Sequence, residues 1–326
     1  MAAPRGPSRL PQRGTTAAPT LICVSAPDSE EQQELGREIG RRCRFIADAV
    51  DRIRTDEGHG LLPGATLFSE LEDEKKFAAE DPWGSDPIMA TRGVAAMGLV
   101  AATDYLRAFG ESIEVHRTYA PFLEARAVLE ACAFAAYLGE QKIGARERVR
   151  RLMNERLEDH FSRARAVAAQ DDPGAADALA EGREKVRQLT EIGGRLGYRV
   201  VKGDNRKAFA LDKERPSITR LIGMIFPNGL GTLAYHLTSS PSHSRPAGLL
   251  ASATMTEEPS PLGLAVGRVG LAARDATFLH SLCVMAIGSA VRPLAEMNGW
   301  STTEWGPLFR EQVMFAQRQR QAYENG

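Results

Sequence analysis

The chain has 326 residues, a formal net charge of −1, and hydrophobic and charged shares of 43% and 25%. These values are typical of a globular protein and exclude a largely disordered chain. The near-zero net charge argues against a nucleic-acid-binding protein and against electrostatic attraction to a membrane. No flexible low-complexity linker interrupts residues 28–326. We therefore predict a single helical domain there.

The N-terminal residues 1–27 are predicted to be a disordered tail. They are rich in arginine and proline, and the apolar run Leu21–Val24 is too short for the hydrophobic region of a signal peptide. Apolar stretches at 93–103 and 278–291 are shorter than the roughly 18 residues that a membrane span needs. Both stretches predict core helices, and no membrane partner is expected.

The chain contains four widely spaced cysteines: Cys23, Cys43, Cys132 and Cys283. They form no C-x-x-C pair, and three of them lie in segments that have the pattern of apolar helix faces. We predict reduced, buried cysteines that behave as small apolar residues, and not disulfides or metal ligands. This composition favours a cytoplasmic protein.

Apolar residues recur at spacings of three and four through most of the sequence, which is the period of an amphipathic helix. We predict an all-α multi-helix bundle of about nine helices, with a further short helix over 69–79. The nine cover about 29–54, 86–109, 119–138, 145–169, 175–196, 216–227, 230–240, 264–293 and 303–323.

Two segments depart from this pattern. Residues 198–211 contain a Gly203-Asp204-Asn205 turn between two short strand-like runs, so either a small β-hairpin or a loop is predicted there. Pro241 is predicted to end the preceding helix at residue 240 and to place His243 in the following loop.

The predicted helix after Tyr119 carries Arg126 and Glu130, one turn apart, on an otherwise apolar segment. Charged side chains on such a helix are costly unless they are paired. One explanation is an internal ion pair or the polar edge of an amphipathic helix. The alternative is a ligand-binding site that faces a cavity.

The next predicted helix carries Arg148, Arg151 and Glu155 along one flank. An exposed pair between Arg151 and Glu155 on a solvated face is one interpretation. In the alternative, both arginines cross to Glu130 on the neighbouring helix and bind a ligand there.

Tyr235, Ser239 and His243 follow one another at intervals of four residues. Two hydroxyl groups and an imidazole that converge near a helix end can bind a polar ligand or act as general acid and base. They can equally cap backbone groups at the turn. No aspartate lies nearby in sequence to complete a nucleophilic triad.

These segments together resemble the recurring signature of a group of uncharacterised helical proteins common in actinobacteria. The resemblance covers roughly residues 124–250 and rests on R-x3-E at Arg126, E-R-x-x-R at Glu147, R-P-S-x-T at Arg215 and Y-x3-S-x3-H at Tyr235. It implies that these residues form one constellation, but no activity comes with it. The chain departs from the group at Tyr137, where tryptophan is frequent, and at Ser244, where glycine is frequent.

Common enzyme motifs are missing from the sequence: it has no P-loop, no G-x-S-x-G, no H-E-x-x-H and no D-D-x-x-D. The arginine-to-histidine spacing of HEPN-type ribonucleases occurs at Arg54 to His59 and at Arg274 to His280, a number that chance explains. His280 lies in an apolar run about 120° around the helix from Arg274. We interpret it as a core histidine with satisfied hydrogen bonds.

The preferred functional prediction is a cytoplasmic helical binding or interaction protein in which a polar cluster of arginine, glutamate, tyrosine and histidine lines a small-molecule pocket. The second is an enzyme for a small hydrophobic or anionic substrate, with His243 as general acid or base and Tyr235 and Ser239 positioning the substrate. The third is a HEPN-like ribonuclease. No cofactor or metal is predicted, and a homo-oligomer is left open.

Overall fold

A computed structural model places ten helices in the part of the chain that it describes, which confirms the predicted all-α bundle. The described residues are 21–25, 30–56, 61–77, 87–141, 143–169, 174–202, 209–243, 253–255, 265–301, 303 and 305–325. The helices are α1 (Glu30–Asp56), α2 (Leu67–Phe77), α3 (Pro87–Glu114), α4 (Ala120–Gly139), α5 (Gly144–Ala168), α6 (Ala175–Arg195), α7 (Ile218–Ile225), α8 (Leu230–Ser242), α9 (Ala273–Asn298) and α10 (Trp305–Asn325).

Helices α4 and α9 lie at the centre of the bundle. Helix α4 packs against α3, α7, α8 and α9, while α1 packs against α3, and α10 packs against α9. The α1–α3 crossing is close, because a Cβ atom on Gly110 would lie 2.8 Å from the Cβ atom of Cys43. Glycine therefore permits a contact that a larger residue would prevent.

The predicted hairpin is confirmed. Strands β2 (Val200–Val201) and β3 (Ala210–Leu211) pair in antiparallel fashion, with Val200 opposite Leu211. The connecting residues 203–208, which include the predicted turn, lie outside the described residues. This hairpin packs beside α5 and α6 and forms one wall of the site considered below.

A second, three-stranded sheet was not predicted. It has the order β1-β5-β4, where β1 is Leu21–Ser25, β4 is Ala253–Met255 and β5 is Ala265–Val269. Strand β1 runs parallel to β5, and β4 runs antiparallel to it. The prediction of a disordered tail is therefore wrong for Leu21–Ser25, whereas residues 1–20 and 26–27 lie outside the described residues. The prediction of one domain over 28–326 stays a prediction.

The predicted bounds of two helices also need correction. Residues 265–269 form β5, so α9 begins at Ala273 and not at 264, and it continues through Pro293 to Asn298. Val266 and Val269 favour a strand, and Gly267 and Gly270 oppose a helix. Helix α8 likewise continues through Pro241, because the His243 amide still donates to the Ser239 carbonyl at 3.1 Å.

Candidate functional site

The predicted polar cluster forms where α4 and α8 face each other. Arg126 and Glu130 lie on α4 with side chains 17% and 34% exposed. Tyr235, Ser239 and His243 lie on one face of α8 because the helical path is kept as far as His243. We call these five residues the Arg126 cluster.

Arg126 is the centre of the cluster. Its Nε donates to Glu130 Oε1 at 2.7 Å, and its Nη1 donates to Ser239 Oγ at 3.3 Å. The same Nη1 lies 2.8 Å from His243 Nε2, and Arg126 Cζ lies 5.1 Å from the centre of the Tyr235 ring. The sequence motifs therefore identified five residues that meet in the folded protein, because each of the other four contacts Arg126.

Arg126 also fixes the tautomer of His243. A guanidinium group has only donors, so His243 Nε2 accepts and the ring proton of the neutral imidazole lies on Nδ1. While this contact persists, Nε2 is not free to take a proton from a substrate. The arrangement links α4 to α8, and a catalytic role for His243 requires that Arg126 first move away.

Arg148 lies apart from the Arg126 cluster. Its side chain is 1% exposed and is paired with Glu70 on α2, with Nη2 donating to Glu70 Oε1 at 2.7 Å. It also donates to the carbonyls of Leu138 and Glu140 at the end of α4. The prediction that Arg148 crosses to Glu130 and binds a ligand is wrong, because a sealed arginine satisfies the helix end instead.

Arg151 has partners other than those considered in the sequence. Its Nε donates to Glu147 Oε1 at 3.0 Å, and its Nη1 lies 2.7 Å from Glu140 Oε2. Its guanidinium carbon lies 4.2 Å from the centre of the Tyr137 ring. Glu155 pairs instead with Arg215 at 2.5 Å. The predicted pairs of Arg151 with Glu155 and with Glu130 are therefore both wrong.

Arg151 does line a cavity, of about 700 Å³, that α5, β3 and the start of α7 enclose. We call it the basic cavity. Of the described residues, five cationic side chains line it: Arg150, Arg151, Lys213, Arg215 and Arg220. Three described carboxylates line it: Glu147, Glu158 and Glu214. Glu140 and Glu155, which pair with Arg151 and Arg215, neutralise two of the cations without lining the cavity.

Asn154 and Arg150 hold the β3 wall of the basic cavity in place. Asn154 Oδ1 accepts from the Leu211 amide at 2.8 Å, and Asn154 Nδ2 donates to the Lys213 carbonyl at 3.0 Å. Arg150 Nη1 donates to the Leu211 carbonyl at 3.4 Å and to the Lys213 carbonyl at 3.3 Å. Both side chains are almost fully buried, so the wall is rigidly supported from α5.

Glu147 is the main counter-charge in the basic cavity. Burial opposes its ionisation, but hydrogen bonds from Arg150 and Arg151 outweigh burial and lower the pKa of Glu147 to about 2. For Glu155, by contrast, burial raises the pKa, and the hydrogen bond from Arg215 offsets this only in part. The ionised form of Glu147 is therefore stabilised, whereas burial disfavours the ionised form of Glu155.

Sequence reasoning missed most of the basic cavity. Glu147 and Arg215 were recognised only as members of a motif, and Arg150, Asn154 and Arg220 were not singled out. The sequence does contain a signal for Asn154, because this polar residue lies among the apolar positions of α5. For Arg220 on the exposed side of α7 no sequence signal existed.

The HEPN-type spacing gives no joint site in the described part of the chain. His280 is fully buried, whereas the Arg274 side chain is 80% exposed. His59, of the other pair, lies outside the described residues. The interpretation of His280 as a core residue is confirmed, but neither ring nitrogen has a hydrogen-bond partner among the described residues.

Two further features bear on metals and membranes. The described residues contain no group of three or more histidine, cysteine or acidic side chains arranged to hold a metal ion. Helix α9 is long and apolar enough to cross a membrane, yet 61% of its most apolar stretch is buried within the fold. Its contacts with α1, α3 and α4 are those of a core helix.

Comparison with known proteins finds no matching family model, no matching curated protein and no matching solved structure. The resemblance to an actinobacterial group stays a prediction.

Proposed function

We propose that the chain is a cytoplasmic binding protein that holds a small anionic ligand in the basic cavity. The observation that carries this proposal is Arg220, an exposed cation that lines a space of about 700 Å³ and forms no ion pair with a described residue. That volume falls within the roughly 300–1,000 Å³ that small-molecule sites occupy. An arginine-rich wall favours ligands with carboxylate or phosphate groups, because guanidinium binds such groups through two parallel hydrogen bonds.

The charges within the basic cavity are only partly neutralised by the protein itself. Glu147 Oε1 forms ion pairs with Arg150, Arg151 and Lys213, at distances of 2.6, 3.0 and 3.5 Å. The Arg220 guanidinium makes no ion pair with any residue in the described part of the chain. An incoming anion would therefore bind Arg220 without replacing a carboxylate, whereas Arg150, Arg151 and Arg215 keep their carboxylate partners.

The start of α7 adds to this attraction. Pro216 and Ser217 line the cavity, and the Ser217 side chain accepts from the Arg220 amide at 3.3 Å as the helix cap. The positive end of the α7 dipole is thus near the arginines. The three described free cysteines, all buried, fit the reducing cytoplasm that the proposal assumes.

The test is titration calorimetry with inorganic phosphate and pyrophosphate at low ionic strength. Pyrophosphate is expected to bind once per chain, and Arg220→Gln is expected to weaken it about tenfold, which corresponds to the loss of one charge-assisted contact. Arg195→Gln, which removes an exposed arginine from α6, is the matched control and should leave binding unchanged. The same loss in both variants, or no binding by the wild type, rejects the proposal.

An enzyme centred on the Arg126 cluster is the second candidate. It is favoured by one observation, the 2.8 Å contact between Arg126 and the exposed His243 next to the Glu130 carboxylate. It ranks second because Arg126 occupies the imidazole nitrogen of His243. A substrate whose turnover is abolished by His243→Ala, with the fold intact, would place the enzyme first.

A further inference from the structure

A second cavity, of about 740 Å³, is mainly apolar and lies between α9, α10 and the middle of α8. We call it the apolar groove. Its apolar lining consists of Leu237, Phe278, Val284, Met285, Val313 and Ala316. Leu237, Phe278 and Val313 are 41%, 37% and 47% exposed, so the groove is open to solvent. An open apolar surface of this kind marks a binding site more often than a passive surface.

The apolar groove continues into a third cavity of about 620 Å³, because Val284, Met285 and Val313 line both. One face of α9 forms the floor of the joined groove from Arg274 to Arg292. At 1.5 Å per residue this floor is about 27 Å long. The space is therefore elongated and suits an extended chain better than a compact ring.

The polar groups of the apolar groove show which head group would fit. The hydroxyl groups of Thr277 and Ser281 donate hydrogen bonds to backbone carbonyls one turn earlier, at 2.9 and 2.8 Å. Asp275 is the only carboxylate among the described residues that line the groove, and Arg274 lies 3.5 Å from it. Arg320 is a second cation at the same end. The positive end of the α9 dipole adds to these charges.

Gln312 supplies a further donor. Its side-chain oxygen accepts from Arg42 Nη1 at 3.2 Å, which fixes the orientation of the amide. Its Nε2 is buried and has no hydrogen-bond partner among the described residues, although the residue lines the groove. The groove thus combines an apolar floor with donors and cations, and the one carboxylate among its described lining residues, Asp275, is already next to a cation.

We propose that the apolar groove binds a free, unbranched carboxylate with a medium or long alkyl chain. The chain would lie along α9, and the carboxylate would lie between Arg274 and Arg320. The carboxylate end of this site needs no residue of the basic cavity or of the Arg126 cluster, whereas the third cavity shares Tyr137 and Met224 with the basic cavity.

The experiment compares three ligands with the same alkyl chain and different head groups. Dodecanoate and dodecyltrimethylammonium are titrated by calorimetry below their micelle concentrations, and dodecanol is titrated below its solubility limit. Dodecanoate is expected to bind once per chain, about tenfold more tightly than the alcohol, because its charge meets two arginines. The cationic ligand should bind most weakly. Equal binding of the cation and the carboxylate would overturn the proposal.

Variants locate the binding. Ser281→Trp fills the floor of the groove and is expected to weaken dodecanoate binding at least tenfold, while Ser162→Trp on the exposed side of α5 should leave it unchanged. Arg320→Gln should weaken dodecanoate but not dodecanol. Circular dichroism checks the fold, and Phe278→Ala replaces Ser281→Trp if the latter unfolds.

Other occupants of the groove give different results. If sedimentation shows a dimer that Ser281→Trp dissociates, a second copy of the chain covers the groove and the carboxylate proposal fails. It fails likewise if neutral phosphatidylcholine vesicles bind the protein while monomeric dodecanoate does not. Loss of pyrophosphate binding in Arg220→Gln leaves the groove untouched, so failure of one proposal is distinguishable from failure of the other.

Discussion

Arg148 and Glu70 form a buried ion pair that joins α5 to α2, with side chains 1% and 8% exposed. Arg148 also satisfies two carbonyls at the end of α4, so one guanidinium connects three helices. Removing only the carboxylate leaves a buried charge without its partner, which is the costly way to break such a pair.

Glu70→Ala is therefore expected to lower the free energy of unfolding by about 3–5 kcal/mol. Urea denaturation measures the change. Asp159→Ala, which removes the partner of the 75% exposed Arg163, is the control, and less than about 1 kcal/mol is expected there. A loss for Glu70→Ala as small as that of the control would show that Arg148 is not sealed in solution.

The second prediction concerns the tautomer of His243. Because Arg126 Nη1 donates to Nε2, nitrogen NMR of the neutral imidazole should find the proton on Nδ1. Arg126→Gln should raise the fraction of the Nε2–H form, whereas Arg318→Gln on the exposed side of α10 should not change it. A wild-type imidazole with its proton on Nε2 is incompatible with the contact.

These two sites mark what local sequence pattern can and cannot predict. The Arg126 cluster was predictable because four-residue spacing places side chains on one helix face, and two such faces carried complementary polar groups. The partners of Arg148 were not predictable, because Glu70 lies 78 positions away on a short helix. No periodicity links the two residues, and only the packing of α2 against α5 brings them together.

The same distinction explains the missed sheet. Helix α1 can be predicted from the stripe of apolar residues in its own sequence. Strand β1 depends on a partner that is distant in sequence, because Leu21 pairs with Ala265. Whether five residues form a strand depends more on their neighbours in the sheet than on their own sequence. The run Leu21–Val24 is too short for the hydrophobic region of a signal peptide, and its β-branched residues Ile22 and Val24 favour a strand.

Acid sensitivity of the basic cavity gives a third prediction. The pKa of Glu147 is about 2 in the folded protein and ordinarily 4.5, so its stabilising effect is complete above pH 4.5 and is lost as pH falls toward 2. On the order of 1–3 kcal/mol of unfolding free energy should disappear over this window.

Glu147→Gln should be less stable than the wild type at neutral pH and should lose less stability on acidification. Unfolding free energies are compared near neutral pH and at about pH 3. Glu184→Gln is the control, since Arg187 also lowers the pKa of Glu184 to about 2, but the carboxylate is exposed and screened by salt. Parallel pH curves for Glu147→Gln and the wild type would contradict the assignment of Glu147 as the main counter-charge.

The buried His280 gives the last prediction, with the same direction but a different pH window. Burial, assisted by Arg42, lowers the pKa of His280 from 6.5 to about 3. The unfolded chain takes up a proton below pH 6.5, but the folded chain does not until pH 3, so stability is lost as pH falls between these values. The loss should reach a few kcal/mol, roughly 1.4 per pH unit at most.

His280→Phe keeps a ring beside Phe315, from which the imidazole centre lies 5.7 Å, and removes two nitrogens that have no partner among the described residues. We expect the variant to match or exceed the wild type at neutral pH and to lose less stability between pH 6.5 and pH 3. His236→Phe on the exposed face of α8 is the control and should follow the wild-type curve. A steep wild-type acid profile that His280→Phe leaves unchanged would assign the sensitivity to carboxylates instead.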